Sequence, residues 1–279
     1  MKISKNITKI NILIISVSIV VLIFADFPSA KSENGNTIYV DSNGSADYKS
    51  IQEAIDAADE GDTIHVNSGT YFENIVINKT INLVGSGKDK TIIDGSGIGN
   101  VIRLAPSSNW VNITGFTIQN SGFGEYRAGI DVDSDYHIIY ENIVRNCRYG
   151  IELEFWGHNC RVISNTIKEN VYGILAYSII PNNNTISRNN FVGNDVNAYD
   201  DSNSSWSYLI NGNYWDDYTG EDKNGDGIGD TPYDIPGGSA QDEYPRIKPF
   251  QTPGFEVLIF IVAVALAFII LRKKRQIPN

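Results

Sequence analysis

The sequence is poor in the residues that hold soft metals and bridge chains: two Cys, one Met and three His in 279 residues. Two cysteines exclude a disulfide-dense scaffold. Cys147 and Cys160 leave room for one bridge in an oxidising compartment, or for two free thiols. Basic residues are scarce in the body of the chain. Across residues 31–255, 31 acids face 15 bases, a balance that repels nucleic acid and anionic membrane surfaces. Long helical periodicity is absent, which excludes a helical bundle. The two apolar runs, residues 10–24 and 257–271, each fall short of the roughly 20 residues of an ordinary membrane-spanning helix.

What the two ends do contain is directional. Lys2, Lys5 and Lys9 precede the first apolar run and small residues follow it, the layout of a secretory signal peptide over residues 1–32. The second run closes on Arg272, Lys273, Lys274 and Arg275, a cluster that stays on the cytoplasmic side. Residues 251–279 therefore read as a membrane anchor with the body outside. Pro253-Gly254-Phe255, the apolar stretch and the basic end also resemble the PGF-CTERM sorting signal of archaeal surface proteins. That resemblance implies a sortase-like processing enzyme and a lipid in place of the tail. Both readings put the body at the cell surface, where Asn43, Asn78, Asn112, Asn183 and Asn203, each opening an Asn-x-Ser/Thr sequon, are open to glycosylation.

Between the ends the chain repeats itself. The hexapeptide beginning at Glu141 matches those beginning at Asn165 and Asn189, so that Asn146, Asn170 and Asn194 recur 24 residues apart. Ile138, Val162 and Ile186 keep the same spacing, Tyr149-Gly150-Ile151 answers Tyr172-Gly173-Ile174, and a looser copy runs from Gly115 to Asn120. Apolar and polar residues alternate over three to six positions between these marks, the signature of half-buried strands. A repeat of this length implies a β-solenoid with about three strands per lap. Asparagine and glycine are expected at corners that need left-handed backbone, with asparagines stacked lap upon lap. Ser50-Ile-Gln-Glu53 forms a capping box for a short helix carrying Ile51, Ala54, Ile55 and Ala58 on one face, stopped by Gly61.

Residues 38–95 resemble the N-terminal cap and first coils of pectin-lyase-like right-handed parallel β-helices. The Asn-x-Ile-x-x-Asn coils and the closing Asn213-Tyr-Trp-Asp-Asp217 segment resemble the NosD-type branch. The resemblance implies an all-β, single-stranded right-handed parallel β-helix. The expected segments are an N-terminal strand and capping helix (33–61), coils (62–205), an acidic C-terminal cap (206–250) and the tail. It leaves function open, because this scaffold carries lyases, hydrolases, epimerases and binders. It also raises copper delivery, for which His65, His137, His158 and Cys160 are a thin donor set.

Acidic residues supply the candidate sites. Asp222, Asn224, Asp226, Ile228 and Asp230 occupy positions 1, 3, 5, 7 and 9 of an EF-hand-like calcium loop, with Gly227 at the turn position. Position 12 is Tyr233 rather than Glu, so Asp216 or Asp217 would have to complete the shell; a solvated acidic turn is the alternative. Asp131, Asp133, Glu152 and Glu154 are the candidate catalytic acids. Asp131 and Glu152 share a register through the Gly129-Ile130 and Gly150-Ile151 match, which makes them either a catalytic pair or a solvated ladder. Trp156, in the turn after Glu154, is a candidate platform for a sugar ring. The functional expectation is a surface β-helix that binds glycans or envelope partners without catalysis; the alternative is a polysaccharide-acting enzyme on the same scaffold.

Overall fold

Short strands joined by tight corners make up the computed structural model, which describes residues 35–178 and 182–251. The signal-peptide reading of residues 1–32 and the tail beyond Gln251 lie outside the described residues. Among the described residues no helix is long and apolar enough to cross a membrane.

The chain opens with β1 (Thr37–Val40) and the helix α1 (Ile51–Ala57). Laps of three strands follow: β2 (Thr63–Val66), β3 (Gly69–Phe72) and β4 (Ile75–Ile77), then β5 (Asn82–Gly85), β6 (Thr91–Asp94) and β7 (Ile102–Leu104). The next two laps are β8 (Asn112–Thr114), β9 (Thr117–Gln119) and β10 (Ala128–Val132), then β11 (Ile138–Tyr140), β12 (Ile143–Arg145) and β13 (Tyr149–Leu153). The last two are β14 (Arg161–Ile163), β15 (Thr166–Lys168) and β16 (Tyr172–Ala176), then β17 (Thr185–Ser187), β18 (Asn190–Val192) and β19 (Val196–Asp200). After β20 (Tyr214–Trp215), the strands β21 (Tyr233–Asp234) and β22 (Gln241–Asp242) pair antiparallel. The first strands of successive laps build a seven-stranded parallel sheet from β1 to β17. The second strands build another of seven from β3 to β20, and the third strands one of six from β4 to β19. This is a right-handed parallel β-helix, the hand that parallel crossovers take.

Each inward position repeats from lap to lap. Ile113, Ile139, Val162 and Ile186 stand in register in the first sheet, Ile118, Val144, Ile167 and Phe191 in the second, and Ile102, Ile130, Ile151 and Ile174 in the third, all fully buried. Val162 therefore pairs with Ile139 rather than with Ile138, a one-residue slip from the expected column.

The same slip affects the asparagine column. Asn170 donates from Nδ2 to Asn194 Oδ1 at 3.0 Å, but the residue stacked on Asn170 from the lap before is Cys147, whose N–H reaches Asn170 Oδ1 at 3.0 Å. Asn146 sits one place earlier, exposed and left-handed at φ 52°, its N–H on Glu169 O. The left-handed corner residues are Asn120, Asn146, Glu169 and Gly193 at one corner and Gly115, Glu141, Ser164 and Arg188 at the other. The inward side chain comes from the residue that follows each of them. A deeper amide ladder does form. Asn142, Asn165, Asn189 and Asn213 each accept the backbone N–H of the preceding rung within 3.1 Å and donate to a main-chain carbonyl, leaving every buried amide partnered. The ladder ends on Asp242, whose Oδ2 accepts from Asn213 N at 2.6 Å and from Trp215 Nε1 at 2.9 Å. The glycines of the Gly-Ile motif answer a different need. A Cβ on Gly150 would lie 2.4 Å from Gly173 O, so the close approach of laps, not a left-handed backbone, requires glycine there.

Both ends of the coil stack are covered. Ser50 caps α1 by accepting from Glu53 N, and Ile51, Ala54 and Ile55 face the core. Glu73 supplies the second half of the cap, accepting from Ser50 Oγ, Ile51 N and Gln52 N. The Gln52 amide pairs with both backbone groups of Val76, sealing the open edge of β4. The helix ends at Ala58, and Gly61, at φ 89°, turns the chain into β2. At the far end Trp215 stacks on Phe191 at 4.3 Å and on Tyr233 at 4.2 Å, so the C-terminal segment covers the last lap with aromatic rings.

Candidate functional site

The outer face of the third sheet gathers the acids. In β10 and β13, Ile130, Val132, Ile151 and Leu153 point inward, and strand alternation sends Asp131, Asp133, Glu152 and Glu154 outward. Pairing places Arg103, Asp131, Glu152 and Leu175 in one rung, confirming the Asp131–Glu152 register. Ligand oxygens of Asp131, Glu152 and Glu154 lie within 4.8 Å of one another, and among the described residues this is the one group of three or more His, Cys, Asp or Glu side chains so arranged.

It is no solvated ladder. Glu152 is 0 % exposed and Asp131 4 %. Neither Glu152 oxygen has a hydrogen-bond partner, nor does Asp131 Oδ1. Asp131 Oδ2 accepts from Asn100 Nδ2 at 2.6 Å and faces Arg103 Nε at 3.5 Å, while Arg103 Nη2 lies 3.3 Å from Asp133 Oδ2. One guanidinium thus serves several carboxylates, and desolvation favours their neutral forms. Burial, with repulsion from Asp131 and Glu154, pushes Glu152 up to about 8. Burial and the neighbouring Glu154 push Asp131 up to about 7 against the pull of Arg103. Glu154, nearest solvent, is raised by burial and by Asp133. The cluster therefore holds protons at neutral pH while keeping a carboxylate beside a cation, the pairing that acid–base and nucleophilic work requires. The same oxygen-only set would suit a hard cation, for which Arg103 competes.

Aromatic rings flank the acids. Tyr177, beside Glu154 and Glu152, meets Phe155 edge-on at 5.0 Å, and Tyr126 is 60 % exposed nearby. Trp156, 66 % exposed, borders a depression shared with Pro106, Asn109, Asp133, Ser134 and Asp135. The sugar-stacking candidate thus stands next to the acids. Sequence reasoning missed Arg103 and Asn100. Arg103 lies outward between Ile102 and Leu104, the same alternation that marked Asp131, but its lap differs in length.

The other sequence candidates are dispersed. Cys147 and Cys160 are free and buried at different corners, so no bridge forms: Cys147 N bonds Asn170 and Cys160 N bonds Asn184. His137 is buried, accepting from Val111 N at Nδ1 and meeting Ser134 Oγ at 2.8 Å, and burial holds it down at about 3. With Nδ1 an acceptor, the neutral ring carries its proton on Nε2 and cannot act as base toward Ser134. His158 pairs with Asp135, and His65 stacks on Tyr39. In the acidic loop, Asp222 accepts from the N–H groups of Gly225, Asp226 and Gly227, Asn224 from that of Asp226, Asp226 from that of Ile228 and Asp230 from that of Lys223. Asp216 and Asp217 turn instead to Asn197, Gly193 and Tyr233. Four sequon asparagines are exposed, while Asn112 is half-buried and donates to Asn82.

Fold and face together define a pectin-lyase-like parallel β-helix with an acidic cluster on one sheet. A family profile for Pectinesterase matches residues 37–144. A probable pectinesterase/pectinesterase inhibitor 6 of Arabidopsis thaliana is 31% identical over 121 residues, 37% of this chain and 22% of that one. A probable ABC transporter binding protein NosD of Stutzerimonas stutzeri is 38% identical over 84 residues, 28% of this chain and 19% of that one. The chain spans about a fifth of the length of these relatives. Among solved structures, a pectin methylesterase from carrot aligns over 66% of this chain and 73% of its own at 16% identity, with a TM-score of 0.42.

Proposed function

We propose that this chain hydrolyses an ester on a polysaccharide, with the outer face of β10 and β13 as its active site. The carrying observation is the convergence of Asp131, Glu152 and Glu154 within 4.8 Å beside Arg103, with the Glu152 carboxyl buried and unpartnered. Similarity to pectinesterases over residues 37–144, which include Arg103, Asp131 and Asp133, supports the same class. The spacing also suits a nucleophile and a proton donor acting on one centre, rather than two acids separated by a water, which stand roughly 6.5–9.5 Å apart.

In this reading Asp131, aligned by Asn100 and Arg103, attacks the ester carbonyl. The oxygen that gains charge is met by the Arg103 guanidinium. Glu154 gives its proton to the departing alkoxide, so that an alcohol leaves and an acyl–Asp131 anhydride remains. Glu154, now ionised, takes a proton from water, whose oxygen adds to the acyl carbon and restores Asp131. Glu152, beneath them, is held neutral chiefly by its own burial, while burial and the neighbouring Asp133 favour the protonated form of Glu154.

The test is release of methanol or acetate from methyl-esterified polyuronides and O-acetylated neutral polysaccharides by the purified chain. Asp131→Asn should lower the rate at least 100-fold with the fold intact. A competing reading, a surface binder without catalysis, draws on the burial of Glu152 and on the exposed Trp156. Glycan binding with no turnover of any esterified polymer would decide for the binder.

A further inference from the structure

The proposed site is rimmed by more negative charge than its chemistry uses. Beyond the proton-sharing Asp131, Glu152 and Glu154, the same face carries Asp133 and, in the adjoining depression, Asp135. Arg103 is already engaged there, 3.5 Å from Asp131 and 3.3 Å from Asp133. Arg127, on the loop leading into β10, turns its guanidinium to the Tyr126 carbonyl. His158 is engaged by Asp135 at 3.1 Å. The residues lining the depression, Pro106, Asn109, Asp133, Ser134, Asp135 and Trp156, include no cation to meet an incoming anion.

A polyuronide brings a carboxylate on every unesterified residue. Laid across this face, it would set those charges against Asp133 and Asp135 on a partly desolvated surface, where like-charge repulsion is screened less than in bulk water. An uncharged glycan meets no such barrier. Its ring C–H faces fit the exposed rings that border the acids: Trp156 at the Asp133–Asp135 depression, and Phe155 and Tyr126 around the half-buried Tyr177 beside Glu154. Aromatic faces stack on apolar sugar faces irrespective of charge.

We infer that the preferred substrate is an O-acyl ester on an uncharged polysaccharide, and that Asp133 and Asp135 exclude polyuronides from the site. The inference rests on the esterase reading and adds to it the charge class of the substrate. The atom balance is that of the two-step hydrolysis above, with the acyl group passing through Asp131 and leaving as acetate while the sugar hydroxyl departs.

The experiment compares acetate release from O-acetylated xylan or mannan with methanol release from pectins of high and low methylation. At low ionic strength kcat/KM should favour the neutral polymer at least tenfold, and the ratio should narrow as salt rises. The double variant Asp133→Asn, Asp135→Asn should narrow it at low salt, and rescue by charge removal separates exclusion from a structural role. Equal or faster methanol release from weakly methylated pectin overturns the inference and leaves the esterase reading standing. Release of neither product from any polymer overturns the esterase reading, and this inference with it.

Discussion

Glu152 makes the stability of this fold depend on pH in an unusual direction. The carboxyl is fully buried without a hydrogen-bond partner and is raised from 4.5 to about 8. Between those values the native chain keeps the proton and the unfolded chain has released it. Raising the pH therefore favours unfolding, by about 1.4 kcal/mol per pH unit for one such group. Above about 8 both states are ionised and the loss is complete. Over the window from pH 5 to 8 the group alone is worth roughly 4 kcal/mol, and Asp131, raised to about 7 by burial and by Glu154, acts in the same direction. For a body of this size, where about 1 kcal/mol moves Tm by about 2–4 °C, the wild type should lose on the order of 10 °C between pH 5 and pH 8. Glu152→Leu extends the rung toward Leu175 and removes the buried charge. Its Tm should match wild type at pH 5 and exceed it by several degrees at pH 8. Thermal unfolding by circular dichroism at half-unit pH steps measures both curves. A wild-type Tm that is flat or rises across the window, or a leucine variant less stable than wild type at pH 8, refutes the argument.

Two other perturbations probe the rest of the molecule. Asn165→Ala strips the partner from Asn142 N and frees the carbonyls of Ile139 and Ile163, so it should cost about 3–5 kcal/mol by denaturant unfolding, whereas exposed Asn146→Ala should cost under 1. For the acidic loop, calcium held by Asp222, Asn224, Asp226, Asp230 and the Ile228 carbonyl remains a proposal; thermal unfolding with 1 mM chelator and with 1 mM calcium should differ by several degrees, and Asp222→Ala should abolish that difference.

The register of the acids illustrates how far local pattern reaches. Strand alternation is a property of neighbouring residues, so the inward Ile130 and Ile151 and the outward Asp131 and Glu152 were readable directly. Their pairing followed from the matching Gly-Ile steps, which the close approach of Gly129, Gly150 and Gly173 explains. The fixed 24-residue spacing failed where laps differ in length. Asn146 was assigned to the amide column, but a shorter lap puts Cys147 there and moves Asn146 out to the corner. The left-handed positions were equally obscured, because Glu141, Glu169 and Arg188 adopt them as readily as the expected asparagine and glycine.

Sequence alone determined the solenoid, its capping helix and the acids that share one outward row, since each rests on short-range alternation or on a repeat that stacks upon itself. Tertiary structure alone decided that Arg103 and Asn100 would reach Asp131, that Glu152 would be cut off from water, and that the two cysteines would lie apart. Those outcomes turn on where each corner places the next lap, and a corner one residue longer or shorter changes which side chains meet.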